Sequence, residues 1–162
     1  MHTLPANAPQ NLYEAFAYIG SVTKPTIDDL KLMVILEAAG KAMYDELAAG
    51  ANPRVQALLI DSGNDELTHA CRLSEAIGKL TGTNYSVPEA TENPYLTGWV
   101  KPDLTADLLN SLAQAEFGGE ALYEHWAENC ENSEARQLFR QNGREETSHG
   151  HRLKEVSGLL AL

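Results

Sequence analysis

Cysteine is nearly absent from this chain of 162 residues: Cys71 and Cys130 are the only two, far apart and in no C-x-x-C pair. Zinc-ribbon and rubredoxin-type iron sites, which need such pairs, are excluded. The thiols read as small, partly buried hydrophobes in a reducing compartment, and nothing in their spacing supports a disulfide. Aromatic residues make up only 7% of the chain, and Val and Ile are scarce beside Ala and Leu, which disfavours a strand-built fold. No run of about 18 apolar residues is free of charge, and Met1 to Gln10 shows no basic stretch leading into an apolar one. A soluble, unexported, cytoplasmic protein with no membrane role is the expectation. Basic residues are few as well. Against 23 Asp and Glu stand 12 Lys and Arg, a formal net charge of -11, so the average surface repels nucleic acid and anionic lipid.

What the chain does have is helical periodicity, at a length that suits one core. Leu12 to Ile19 can form a short helix within an N-terminal segment, residues 1–25, of structural role. Thr26, ahead of Asp28 and Asp29, can cap a first long helix from about Ile27 to Ala49, stopped by Gly50. Asn52 and Pro53 open a second, which carries Val55, Leu58, Leu59, Leu73 and Ile77 and ends near Lys79. Gly82, Gly98, Pro88, Pro94 and Pro102 then mark a loop. It is too long for a tight hairpin and suits a strap running the length of a bundle, which sets the second and third helices parallel. Thr105 can cap the third helix, to about Asn129, and Ser133 the fourth, to about Gly158. The predicted fold is all-α: a four-helix bundle over residues 26–162 with one long crossover.

An internal repeat organises this bundle. A shift of 79 residues lays Thr26 on Thr105, Glu37 on Glu116, Gly40 on Gly119 and Tyr44 on Tyr123. A shift of 80 lays Leu58 on Leu138, Gly63 on Gly143, Glu66 on Glu146, His69 on His149 and Arg72-Leu73 on Arg152-Leu153. The halves are two copies of one helical hairpin, most simply related by a pseudo-twofold axis, so that a group on the axis receives matching ligands from both.

Glu66 and His69, three apart on a helix, converge on one point, and Glu146 and His149 repeat the pair. Glu37 and Glu116 sit in apolar surroundings, after Met33-Val34-Ile35-Leu36 and Leu112-Ala113-Gln114-Ala115, where an uncompensated carboxylate is costly. Four carboxylates and two imidazoles around two divalent cations remove that cost. One Glu from each of two helices with Glu-x-x-His from the other two is the dimetal-carboxylate pattern of helical bundles. Hard oxygen and imidazole donors suit iron or manganese, two ions about 3.5 to 4 Å apart, and iron is the expected metal, manganese or a mixed pair the alternative. Tyr44 and Tyr123, seven residues past Glu37 and Glu116, are placed to donate hydrogen bonds to bridging carboxylates. Glu120, one turn past Glu116, is a possible further ligand or a surface acid paired with Lys. His125 and His151 lack histidine counterparts in the repeat and read as non-ligands. Arg72 and Arg152 are expected to pair with acids such as Glu75 and Glu155.

With these motifs the chain, from about Thr26 to Gly158, resembles the rubrerythrin branch of the ferritin-like superfamily. The resemblance implies reduction of hydrogen peroxide at a diiron site, with Glu66 and Glu146 bridging, Glu37 and His69 terminal on one iron, Glu116 and His149 on the other. Two departures stand out. There is no rubredoxin module to deliver electrons, so an external electron donor protein is expected. Where the family's peroxidases carry an additional glutamate, this chain has Gly119, with Glu120 the nearest acid. A homodimer is the expected assembly. Ferritin-like ferroxidation with iron storage, hydroxylation of an organic substrate as in demethoxyubiquinone hydroxylase, and a bundle retained only as a partner module are the competing functions.

Overall fold

The computed structural model describes residues 2–161; the terminal Met1 and Leu162 of the expected segments lie outside them. The described residues are helical and contain no strand. Helix α1 spans Leu12–Gly20, α2 Ile27–Ala48, α3 Pro53–Thr81, α4 Ala106–Glu128 and α5 Ser133–Leu160, with two 3₁₀ turns, Ala90–Glu92 and Pro94–Leu96, in the crossover.

Each long helix starts where a short polar side chain takes up free amides of the first turn. Thr26 and Asp29 form a reciprocal capping box: Asp29 N–H donates to Thr26 Oγ1 at 3.2 Å, and Thr26 N–H to Asp29 Oδ2 at 2.8 Å. Asn52 caps α3 and Thr105 caps α4. For α5 the cap is Asn132, whose side chain accepts from Ala135 N–H, and not Ser133, which already lies in the first turn. That helix also runs past Gly158 to Leu160, because no positive φ interrupts it. Gly50 and Gly82 do end their helices, each with φ of +84°, which carries α3 to Thr81 rather than Lys79.

Side chains that meet across helices set the directions. Arg54 reaches Glu155 while Lys79 reaches Glu134, so α3 and α5 are antiparallel. Tyr44 meets Glu116 while Tyr123 meets Glu37, so α2 and α4 are antiparallel too. With short links joining α2 to α3 and α4 to α5, the crossover connects parallel helices, in a ferritin-like arrangement. It also covers α2: Asn93, buried, donates to Ile35 O at 2.8 Å, and Tyr95 Oη donates to Pro9 O at 2.6 Å, tying strap and N-terminal segment together. Helix α1 buries Leu12, Ala15 and Ile19 against the same end of the bundle, where Trp126 Nε1 donates to Val22 O at 2.7 Å. No helix among the described residues is long and apolar enough to cross a membrane.

Two apolar clusters fill the bundle. One joins Leu30, Leu36, Leu73, Ile77, Tyr123, Trp126 and Phe139 to α1; the other gathers Tyr44, Leu47, Val55, Leu59, Leu109, Leu153 and Val156. Between the two along the long helices fall the buried Glu37 on α2, Glu66 and His69 on α3, Glu146 and His149 on α5, and the partly buried Glu116 on α4. Both cysteines are free; Cys130 is half-buried as expected, whereas Cys71 faces outward, because Ala70 and Leu73 occupy the inner face of that turn.

The Asp29 cap makes a testable contribution. Burial opposes its charge, but the hydrogen bonds from Thr26 N–H, Tyr18 Oη and Thr26 Oγ1 outweigh this and hold the carboxyl below its ordinary value of 3.8. A carboxyl with a depressed folded pKa stabilises fully above its unfolded value and loses that contribution as pH falls through the folded one. Asp29→Ala should therefore cost about 1 to 2 kcal/mol at neutral pH. In urea titrations the deficit should shrink as pH falls below about 4; a deficit independent of pH would refute the assignment.

Candidate metal centre

The polar layer brings together all six residues that the repeat singles out. Glu37, from α2, and Glu66 and His69, from α3, can put ligand atoms within 4.8 Å of one another; so can Glu66, Glu116 and His149, and so can His69, Glu146 and His149. Glu66 is common to the first two groups and Glu146 lies between the imidazoles, so these two carboxylates are central, the places the resemblance gives to bridging ligands, and Glu37 and Glu116 flank them. The rings of His69 and His149 stack with centroids 5.1 Å apart and planes 17° apart. Both rings are fully buried.

Each imidazole is held from behind. His69 Nε2 lies 3.0 Å from Glu145 Oε2, and His149 Nε2 lies 3.0 Å from Asp65 Oδ2. Those carboxylates are anchored in turn, Glu145 by both terminal nitrogens of Arg72, at 2.7 and 3.0 Å, and Asp65 by Arg152 at 3.0 Å. A carboxylate accepts but cannot donate, so the Nε2 position carries the proton and Nδ1 is left facing the centre. The arginines do not pair with Glu75 and Glu155: one turn beyond the ligands on antiparallel helices, each faces the opposite helix, and Glu155 goes to Arg54 instead. Asp65 and Glu145 were not singled out from the sequence. Their signal was there, since the 80-residue shift lays one acid on the other immediately before each Glu-x-x-His.

Tyr44 and Tyr123 correct the expectation in detail. They donate to Glu116 Oε1, at 2.5 Å, and to Glu37 Oε1, the flanking carboxylates of the opposite helix rather than the bridging ones. Two turns along an antiparallel pair place each tyrosine level with the glutamate facing it. Glu120 turns outward and accepts from Thr147 Oγ1; it is exposed and in none of the ligand groups. Its repeat counterpart Lys41 pairs with Asp45. His151 is exposed and packs edge-on against Phe117, and His125 is exposed as well.

The electrostatics show what this layer lacks without a cation. Burial, then the charges of Glu116 and Glu37, pushes the Glu66 carboxyl far above the carboxylate range. Burial does the same to Glu146, against the opposing pull of His69, with Glu37 and Glu116 adding to the rise. Glu37 goes the other way: burial opposes its charge, but Glu66, His69 and the Tyr123 hydroxyl bring it down to about 2. His69, disfavoured as a cation by burial, is pushed up to about 11 by Glu146 and Glu37, while burial holds His149 below its ordinary value. Nδ1 of both imidazoles is buried and makes no hydrogen bond, although Glu146 Oε1 stands 3.3 Å from the one and Glu66 Oε1 3.2 Å from the other. Two orphaned nitrogen donors amid converging carboxylates fit divalent cations and little else.

From residue 28 to residue 157 the chain matches the family model described as Rubrerythrin. The chain belongs to the rubrerythrin family. Comparison with curated proteins and with solved structures gave no match. The matched span holds the complete layer, and as a rubrerythrin-family domain it is of the ferritin-like diiron type. At Gly119 a Cβ would stand 2.8 Å from Glu146 Cγ and 3.2 Å from its Cβ, so in this family member the bridging carboxylate occupies the room beside α4. Gly40, its repeat counterpart, would place a Cβ 3.3 Å from Glu66 Cγ.

Adjacent glycines on α4 should therefore respond with opposite sign. A Cβ at Gly118 meets nothing, so Gly118→Ala should stabilise the protein by about 0.5 to 1 kcal/mol through helix propensity alone. Gly119→Ala should instead cost about 1 to 3 kcal/mol by overpacking against Glu146. Thermal melts of the two variants check this; equal shifts would contradict the seating of Glu146.

Proposed function

We propose that the chain is a non-haem diiron oxidoreductase that reduces hydrogen peroxide with electrons from an external donor protein. The observation that carries the metal assignment is the pair of buried, unbonded Nδ1 atoms, each facing carboxylates that its partner helix supplies. His69 and His149 would hold the ions through Nδ1, Glu37 and Glu116 at the flanks, Glu66 and Glu146 between them. Four carboxylates against two divalent cations balance in charge, which is why a pair of ions suits the layer better than one. When bound, the iron pair supplies two electrons as both ions pass from ferrous to ferric.

The chain's own residues do the rest. Reduction of one peroxide to two waters consumes two electrons and two protons. The apolar clusters close the layer at both ends along the helices, so protons reach it from the sides, past its polar groups. Asp65 and Glu145 fix the imidazole rings and keep the proton on Nε2. Tyr44 and Tyr123 donate to the flanking carboxylates and hold them in place; burial keeps both phenols neutral far above the ordinary tyrosine range. Peroxide as oxidant rests on the family. The external donor is supported by the sequence, which contains no paired-cysteine motif to serve as a second redox centre.

Ferrous iron should bind at two equivalents and raise the melting temperature, by a margin equivalent to about 4 kcal/mol when free metal stands about 1,000-fold above its Kd. Removing Glu66 or Glu146 should abolish paired binding rather than weaken it. Burial and the neighbouring carboxylates push the Glu66 and Glu146 carboxyls up, so cations compete with protons there and uptake should weaken as pH falls. Well under two equivalents after anaerobic reconstitution would defeat the dinuclear reading.

In stopped-flow measurements, the reduced protein should be reoxidised by hydrogen peroxide faster than by oxygen at equal concentration, and should cycle only with an added reductant. His69→Ala or His149→Ala should impair reoxidation, each taking away one of two nitrogen donors. Faster reaction with oxygen would overturn the peroxidase reading in favour of ferroxidation or hydroxylation.

A further inference from the structure

The halves of the centre match in ligands but not in cover. On α3 and α5 the symmetry holds out to the surface, with the side chains of Asp65 and Glu145 exposed by 37% and 38%. On α2 and α4 it fails. The 79-residue shift lays Leu32 on Ser111, Ile35 on Gln114, Leu36 on Ala115 and Ala39 on Gly118; all four α2 residues are buried and all four α4 residues exposed. The strap and the N-terminal segment lie over the α2 end, through Asn93 on the Ile35 carbonyl and the buried Tyr95; among the described residues the N-terminal segment meets α4 at its C-terminal end, where Trp126 and Asn129 bond Val22 and Thr23, and Ser111, Gln114, Ala115 and Gly118 stay exposed. Residue chemistry agrees, apolar on α2 and small or polar on α4, so the open face is written into the sequence as well as the fold. The flanking carboxylates record the difference: the Glu37 side chain is 4% exposed and that of Glu116 16%.

Helices α2 and α4 also lie apart. α2 packs on α3, α4 on α5 and α3 on α5, whereas the seam between α2 and α4 is spanned by the two tyrosine–glutamate hydrogen bonds. Gly40 and Gly119, both partly exposed, sit directly over Glu66 and Glu146. The floor of the seam is therefore the bridging carboxylates, roofed by hydrogen atoms where other residues would place side chains. One turn before these glycines stand Leu36 on α2, which is buried, and Ala115 on α4, which is exposed.

We propose that the centre has one closed and one open metal position: the Glu37–His69 position is sealed, and the Glu116–His149 position, under the uncovered face of α4, is where a divalent cation enters and leaves. This rests on the dinuclear reading above. Leu36 and Ala115 are the positioning pair that sets the difference, a buried leucine in one half and an exposed alanine at its counterpart in the other.

The test uses the full chain loaded with two equivalents of cobalt(II), whose visible bands report the bound ion, and challenged with excess EDTA. Two phases of equal amplitude are expected, the faster by roughly tenfold or more, since the shell around a metal governs its access to solvent. Ala115→Leu, which copies the cover of the other half onto an exposed position, should slow the fast phase and leave the slow one unchanged. Leu36→Ala should speed the slow phase; should that core variant fold poorly, Ala115→Leu decides alone. Uptake of fewer than two equivalents overturns the dinuclear reading and this proposal with it. Two equivalents released in a single phase, or rates indifferent to Ala115→Leu, overturn the open and closed positions alone.

Discussion

Everything in this bundle is arranged around the burial of four carboxylates and two imidazoles between two apolar clusters. Desolvation makes such a layer costly, and the protein offsets only part of the cost from its own groups. Glu37 is compensated by Glu66, His69 and Tyr123, whereas burial and the neighbouring carboxylates push Glu66 and Glu146 far above the carboxylate range. The two Nδ1 atoms make no hydrogen bond, although carboxylate oxygens stand 3.3 and 3.2 Å from them. A layer built for structure would pair these atoms or replace them with hydrocarbon, as buried ion pairs can be replaced at little loss. This one leaves donors unused, which is the signature of a site whose partner comes from outside the chain.

The constraint explains why the helices differ in how they are held. α3 and α5 carry the imidazoles, and they are locked by two antiparallel chains of contacts, His69 to Glu145 to Arg72 and His149 to Asp65 to Arg152, with Asn142 and Ser62 taking up the remaining arginine bonds. Ring orientation and tautomer are thus fixed by groups that are partly solvated and well paired, and are set before any cation arrives. α2 and α4 carry the flanking carboxylates, and the bonds that cross between them are the two from tyrosine to glutamate. The imidazoles sit where α3 and α5 pack together, and Glu37 and Glu116 border the looser seam.

Much of this was legible in the sequence because the repeat made coincidence implausible. One Glu-x-x-His is common on helix surfaces, but Glu66, His69, Glu146 and His149 in register with Glu37 and Glu116 specify both the ligands and the topology that brings them together. What escaped reading lies between helices. Asp65 and Glu145 point about 100° away from the neighbouring ligands on their own helices, so periodicity assigns them to solvent; only the interface of α3 with α5 turns them onto the histidines. The arginine partners failed for the same reason, since i, i+3 spacing favours Glu75 and Glu155 while the antiparallel register favours Glu145 and Asp65. Asn132 was passed over as a cap because Ser133, equally suited, follows it by one residue, and that choice depends on backbone angles no composition reveals.

The repeat also shows how far symmetry extends and where it stops. The buried glutamates and histidines, the tyrosines, the acids behind the imidazoles and the glycines beside Glu66 and Glu146 all come in matched pairs, as a pseudo-twofold axis through the polar layer demands. The outer faces of α2 and α4 carry no such demand. There the chain placed Leu32, Ile35 and Leu36 under the strap on one side and Ser111, Gln114 and Ala115 in the open on the other. A crossover can run along only one edge of a bundle, and the segment before α2 can pack against only one end, so two copies of a hairpin joined in one chain cannot be covered alike. The connection that joins the two halves is what makes their cover unequal.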